Sequence, residues 1–145
     1  MKTFMSTDPT KLGHLFAEIM SSHDVSRLDE IKASHYLNHN AFAEPGLEGS
    51  KKVLGAIIAG VPDLKVTAED VFASADGSRL VGRYRYEGTH TGNLLGYPAT
   101  GKPFVMRSID IWRVEDGLFV EHWDELNTLE VFIQIGAVQP PKQPS

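Results

Sequence analysis

The 145-residue chain contains no cysteine. That removes a disulfide framework, a thiolate nucleophile and any Cys-based metal site. It has no apolar run of membrane-spanning length, and its start, MKTFMSTDPTK, lacks the apolar stretch of a signal peptide. It also lacks excess positive charge. The formal net charge is −5 and the acidic residues are dispersed, which disfavours a nucleic acid or an anionic membrane as partner. The expectation is a soluble, cytoplasmic protein. There is no internal repeat and no linker, so residues 1–138 read as one domain. Residues 139–145, QPPKQPS, read as a flexible Pro-rich tail. A domain of this size buries roughly 70% of its unfolded surface, so its core needs no staples.

One motif invites a false start. Residues 96–102, GYPATGK, match the G-x-x-x-x-G-K core of a phosphate-binding loop. That loop needs a Ser or Thr after the Lys to hold magnesium, and a helix whose N-terminus faces the phosphates. Here Pro103 follows, and then a β-rich run from Phe104 to Trp112. The stretch reads as a turn-rich loop between strands.

Periodicity gives the elements. Leu12, Leu15, Phe16, Ile19 and Met20 form one stripe of a helix capped by Asp8 with Pro9 at its first position. Val25, Leu28 and Ile31 mark a shorter amphipathic stretch, followed by an extended piece from Tyr36 to Asn40. A further helix carries Val53, Leu54, Ile57 and Ile58 inward, with Ser50 as its cap and Gly60 and Pro62 as its stop. The pattern then turns to β. Segments 65–74 and 79–90 flank the turn Ala75-Asp76-Gly77-Ser78, and segments 104–114 and 118–126 flank Glu115-Asp116-Gly117. Thr128 caps a last short helix that ends at Gly136. Helices first and an antiparallel meander second define an α+β fold, with the helices on one face of the sheet.

The last hairpin decides which side chains cooperate. Glu115-Asp116-Gly117 suits a three-residue loop with Gly in the left-handed conformation. Val114 then pairs with Leu118, Asp110 faces His122, Trp112 faces Val120 and Ser108 faces Asp124. These residues share one face, while Ile109, Ile111, Phe119, Glu121 and Trp123 take the other. A two-residue loop would instead put Asp110 and Asp124 on opposite faces. In the three-residue register, two carboxylates and an imidazole lie beside the apolar Trp112 and Val120, as in a pocket wall. Partial burial would push one carboxyl toward neutrality, as proton abstraction next to a carbonyl requires.

Taken in order, several segments carry a resemblance: Tyr36-Leu37-Asn38-His39-Asn40, Val61-Pro62-Asp63-Leu64, Gly88-Thr89-His90-Thr91-Gly92, Gly96 to Lys102, Ile109-Asp110-Ile111-Trp112-Arg113 and Glu121-His122-Trp123-Asp124. Together they resemble the SnoaL-like polyketide cyclase family over residues 10–137. The resemblance implies a cone-shaped fold, shared with nuclear transport factor two and ketosteroid isomerase, in which a curved antiparallel sheet and N-terminal helices enclose an apolar cavity. It also implies a cofactor-free intramolecular aldol condensation on a polyketide-like ester. The family's acid/base Asp falls at Asp124. This chain departs from the family pattern at Asp110, where the cyclases have a His, and at Asn127, where Asp is common.

The expected reaction is therefore acid/base chemistry next to a carbonyl. Asp124 would be the base and Asp110 or His122 would hold the complementary proton. His39, Trp112, Phe42 and Phe72 would line the cavity, with no metal and no cofactor. His39 has a second reading as a core His bonded to backbone. Pairing of two or more copies through the outer sheet face is also expected. Alternatives are a non-catalytic binder of a small apolar ligand, or a limonene-type epoxide hydrolase needing Arg83 or Arg107 in the cavity. The register turns Arg107 away. A zinc pair at His35 and His39 lacks the helix and the Glu it requires. A facial metal site from Asp110, His122 and Asp124 is chemically conceivable but is disfavoured by the resemblance. Ser108 lacks the exposed turn of a hydrolase nucleophile, and His90 reads as a loop stabiliser. The lysines sit in polar sequence contexts, which disfavours a Schiff-base aldolase.

Overall fold

The computed structural model describes residues 8–144. The segment ahead of Asp8, where the reading of the N-terminus falls, lies outside the described residues, as does Ser145. Residues 139–144 are exposed and belong to no helix or strand.

The leading apolar stripe forms α1 (Thr10–Ser22), with Phe16, Ile19 and Met20 buried. Pro9 takes its cap position, and the Asp8 carboxylate one residue earlier accepts the Thr10 N–H at 3.0 Å. A 3-10 turn (Val25–Glu30) buries Leu28 and leads into β1 (Lys32–Asn38). Helix α2 (Leu47–Gly60) starts earlier than expected, behind Gly46. Ser50 is not its cap. It lies inside the first turn, fully buried, with its hydroxyl turned to Lys32. Strands β2 (Lys65–Ala73), β3 (Arg79–Thr89), β4 (Pro103–Glu115) and β5 (Leu118–Leu126) follow, then α3 (Thr128–Gln134). Asn127 precedes α3 without capping it. Its side-chain oxygen instead accepts the Arg107 N–H.

The five strands lie in the order β1-β5-β4-β3-β2, as a curved, unclosed sheet. Neighbours are antiparallel except at one edge, where β1 runs parallel to β5. The sheet is therefore mixed, not wholly antiparallel. The expected meander is intact in β2–β5, and the N-terminal extended piece adds a strand beside its last member. The helices cover the inner face, where Phe16 of α1 packs edge-on against Tyr84 at 5.2 Å and also meets Trp112. The GYPATGK segment belongs to the β3–β4 connection and runs straight into β4, with no helix behind it. No helix of the described residues is long and apolar enough to cross a membrane.

The last hairpin differs from expectation in an instructive way. Its loop has two residues, Asp116 and Gly117, both at positive φ (51° and 75°), and Glu115 pairs with Leu118. This is the primed turn that matches strand twist. A two-residue loop alone would have separated the carboxylates. However, Val114 pairs with Phe119 while Arg113 pairs with Glu121, so Val120 is an extra residue, a β-bulge. Beyond the bulge, Trp112 faces His122, and Asp110 faces Asp124 directly. The bulge restores the shared face that the three-residue reading anticipated. The two-residue loop, by pairing Phe119 with Val114, puts Phe119 on the inner face, against expectation, where its ring stacks on Trp112 at 4.4 Å.

Candidate active site

Strands β1, β4 and β5 each contribute to one inner-face cluster. Asp110 in mid-β4 is 2% exposed. Its Oδ1 lies 2.7 Å from His122 Nε2, and its Oδ2 accepts the Ser108 hydroxyl at 2.6 Å. The other imidazole nitrogen, Nδ1, lies 2.8 Å from Asn38 Oδ1. That oxygen also accepts the Asn40 backbone N–H at 3.2 Å, which fixes which end of the amide faces the ring. His122 Nδ1 must therefore carry a hydrogen. A second proton is shared between Nε2 and Asp110 Oδ1, because a contact this short between two lone pairs needs one.

Asp124 is held differently. The Asn40 amide reaches both of its oxygens at 2.9 Å, and His122 Nε2 is 3.9 Å away. The Asn40 amide is itself oriented by the Phe42 N–H, which bonds its Oδ1 at 2.8 Å. Burial raises the Asp124 carboxyl above its ordinary pKa, and the charges of Asp110 and Glu125 push the same way. His122 and Asn40 oppose this without cancelling it.

The cluster opens on a hollow of about 40 Å³ lined by Asp110, His122, Asp124, Trp112, Lys32 and Ser50, among others. A second hollow of about 60 Å³ lies between α2, α3 and the Leu94-Leu95 turn. Asn40, Val53, Ile57, Met106 and Leu126 line both, so the two hollows are neighbours with a shared wall. A larger, open groove of about 630 Å³ runs by the start of α1 and the two hairpin turns. Hydrogen bonds from Ser78 and Ser74 lower its Asp76 to about 2, which suits a turn anchor and not a base.

The expected residues divide clearly. Asp110, His122, Asp124 and Trp112 meet in the hollow, with Trp112 stacked on His122 at 5.2 Å. Phe42 is 53% exposed and lines the outer hollow. Phe72 does not belong to the cavity. It is 54% exposed and pairs with Val81, which pairs with Ile111, a row on the outer face. His39 also points outward. It is neither a cavity residue nor a core His: it bonds Glu121 Oε2 at 2.8 Å and stacks on Trp123.

The residues that sequence reasoning missed are the neighbours of His39. Strand alternation turns Asn38 inward with Tyr36 while His39 faces out, so the asparagines do the holding. Lys32 was missed as well. It is 4% exposed, bonds Ser50 Oγ at 2.6 Å and lies over the Tyr36 ring at 4.5 Å. Burial lowers its pKa to about 7, against the pull of Asp110 and Asp124. The premise that every lysine sits in a polar setting fails here.

Asp110, His122 and Asp124 offer ligand atoms within 4.8 Å of one another. Two of those atoms are bonded to each other, so an ion would have to displace the shared proton. Ser108 gives its hydroxyl to Asp110 and not to His122, unlike a nucleophile with its base. Arg107 is paired with Glu130 on the outside, and Arg83 is exposed. Neither supplies the cavity guanidinium that epoxide hydrolysis would need.

Comparison with known proteins bears on the family and the fold. The aklanonic acid methyl ester cyclase DnrD of Streptomyces peucetius is 27% identical over 136 residues, covering 87% of this chain and 91% of that protein. The corresponding enzyme DauD of Streptomyces sp. (strain C5) is 25% identical over 134 residues, covering 87% and 82%. The structure of TsrD from Streptomyces laurentii superposes with a TM-score of 0.82 at 32% identity, covering 94% of this chain and all of that one. The SnoaL-like polyketide cyclase model matches residues 11–135, and the chain belongs to that family.

Proposed function

We propose that the protein is a cofactor-independent cyclase or isomerase that closes a ring in a small apolar keto-ester by proton transfer next to a carbonyl. The observation that carries this is the unequal treatment of two facing carboxylates. Asp110 has both oxygens engaged by His122 and Ser108. Asp124 has only an amide partner and a raised pKa, at the wall of an apolar hollow. A carboxylate tuned upward is a better general base at neutral pH.

In this reading Asp124 removes a proton from the carbon next to the substrate carbonyl. The enolate carbon attacks a second carbonyl carbon, a C–C bond forms, and the second oxygen takes up a proton. That proton comes from the one shared by Asp110 and His122, and Asp124 returns its own to restore it. The net change is an isomerisation, with no external oxidant or cofactor. Phe42 and the outer hollow would receive the apolar part of the substrate. The related cyclases named for aklanonic acid methyl ester make a fused-ring keto-ester a sensible first substrate class.

The test is deuterium exchange at the carbon next to the carbonyl in a panel of keto-esters. Exchange should be lost in Asp124→Asn; exchange unchanged in that variant would remove the proposed base. We also take the outer face, where Ile109, Ile111 and Phe72 stand exposed, as the surface through which copies pair. Light scattering of the wild type and Ile111→Lys reads this directly, and a wild-type monomer would end it.

A further inference from the structure

Lysine seldom sits fully buried without an acidic partner, because an ammonium loses far more hydration than a neutral group can return. Lys32 is such a case. Among the described residues its side chain makes one hydrogen bond, to the Ser50 hydroxyl, and no ion pair. Ser50 can accept from an ammonium or donate to the lone pair of a free amine, so this partner suits both states. The aromatic rings of Tyr36 and Phe16 flank the nitrogen at 4.5 and 5.8 Å from their centroids. Lys32 also lines the same hollow as Asp124, Asp110 and His122. An amine nucleophile and a tuned carboxyl group thus face one small space.

We propose that Lys32 captures the carbonyl of a ketone or aldehyde in this hollow as a Schiff base. The idea builds on the acid/base reading of Asp124, and it adds a covalent route to the same chemistry. The amine lone pair adds to the carbonyl carbon, forming a C–N bond, while an N–H proton passes to the oxygen. The resulting hydroxyl takes a proton from the Asp124 carboxyl and leaves as water, giving the iminium and the Asp124 carboxylate. That carboxylate is then available to take a proton from the adjacent carbon, leaving an enamine as the carbon nucleophile. Atoms and charges balance, and no oxidant is required.

Two properties support the step. The nitrogen must be neutral to attack, and burial brings Lys32 to about 7. An amine of ordinary pKa is neutral in only about one molecule in 10³ at pH 7. Burial sets this balance first, followed by the charges of Asp110 on β4, Asp124 on β5 and Lys51 on α2; Tyr36 on β1 lies beside the nitrogen and His122 on β5 lines the same hollow. In addition, the hollow of about 40 Å³ beside Lys32 is where a carbonyl head group would sit, and the neighbouring hollow by Phe42 would take the chain behind it.

The experiment incubates the whole protein at pH 7 with butanone and cyanoborohydride, then maps the alkylated peptides by mass. The expected result is alkylation of Lys32 at least about tenfold faster than of the exposed Lys52 and Lys65, with the reductive adduct missing in Lys32→Arg. Lys32 unmodified, or modified no faster than the exposed lysines, overturns the proposal in the wild type alone, so it does not depend on how the variant folds. The two readings fail separately. Asp124-dependent deuterium exchange without a Lys32 adduct keeps the acid/base reading and ends this one. A Lys32 adduct with exchange unaffected in Asp124→Asn does the reverse.

Discussion

Asp110 lies 2.7 Å from the same His122 nitrogen that stands 3.9 Å from Asp124. The imidazole is therefore committed to one carboxylate, and the other faces the hollow with only Asn40 holding it. If Asp124 is the base, Asp124→Asn should lower turnover by about 10²–10⁴. Asp110→Asn should act through His122 and lower turnover less. Steady-state rates of the two variants distinguish these roles. Equal losses would contradict this division of labour.

Asn40 stabilises the charged form of Asp124 by donating to both of its oxygens. Asn40→Ala removes a hydrogen bond to a charged group, worth about 1.5–3 kcal/mol. The Asp124 carboxyl should rise further, and the acid limb of the pH–rate profile should move to higher pH. A limb that moves down, or not at all, would show that Asn40 does not tune this carboxyl.

Stability should carry the same signatures. The folded protein keeps the Asp124 proton to a higher pH than the unfolded chain does. Stability from this group is thus full below about pH 4 and lost as pH rises through the raised value. Lys32 works in the opposite sense. Its folded value is about 7 against an ordinary 10.5, so stability grows as pH climbs between them. Melting temperatures should rise in Asp124→Asn at neutral pH and converge with the wild type in acid. In Lys32→Met the gain should be largest below pH 7 and shrink toward pH 10.

The outer hollow makes a positional claim about two phenylalanines. Phe42→Ala should raise KM for an apolar substrate with little change in kcat, because the ring lines the outer hollow. Phe72→Ala, on the outer face, should leave both unchanged. Kinetics with a long and a short keto-ester would check this, and a KM shift from Phe72→Ala would redraw the binding route.

Much of this was legible in the amino-acid order. Strands β2 to β5 follow from their alternating Val, Tyr and Thr and their Gly-bearing turns, and the stripe of α1 follows from its 3.6-residue period. The face shared by Asp110, His122 and Asp124 was also legible, though by way of the wrong loop. Asp-Gly forms a two-residue turn, and a bulge at Val120 restores the phase. A bulge leaves no periodic mark of its own, because one extra residue in a β-rich segment looks like any other. Asn38 and Asn40 were hidden behind a more conspicuous histidine. Counting alternation from the buried Tyr36 would have found Asn38. Lys32 was invisible for a different reason: its burial comes from Phe16 and Ser50, far from it along the chain.

The bulge separates the hairpin into two segments with independent rules. On the tip side, residues 114–119 answer to the turn, and on the far side, residues 121–126 answer to the cluster. A three-residue loop that takes in Glu115, with Val120 paired instead of bulged, would keep every carboxylate on the inner face and yet slide one strand along the other, setting Asp110 opposite His122. Such a molecule would look correctly assembled from the side and still present its acids at the wrong depth. Swaps of the tip that preserve the insertion should leave the chemistry untouched, which marks this end of the hairpin as the place where foreign sequence can be grafted.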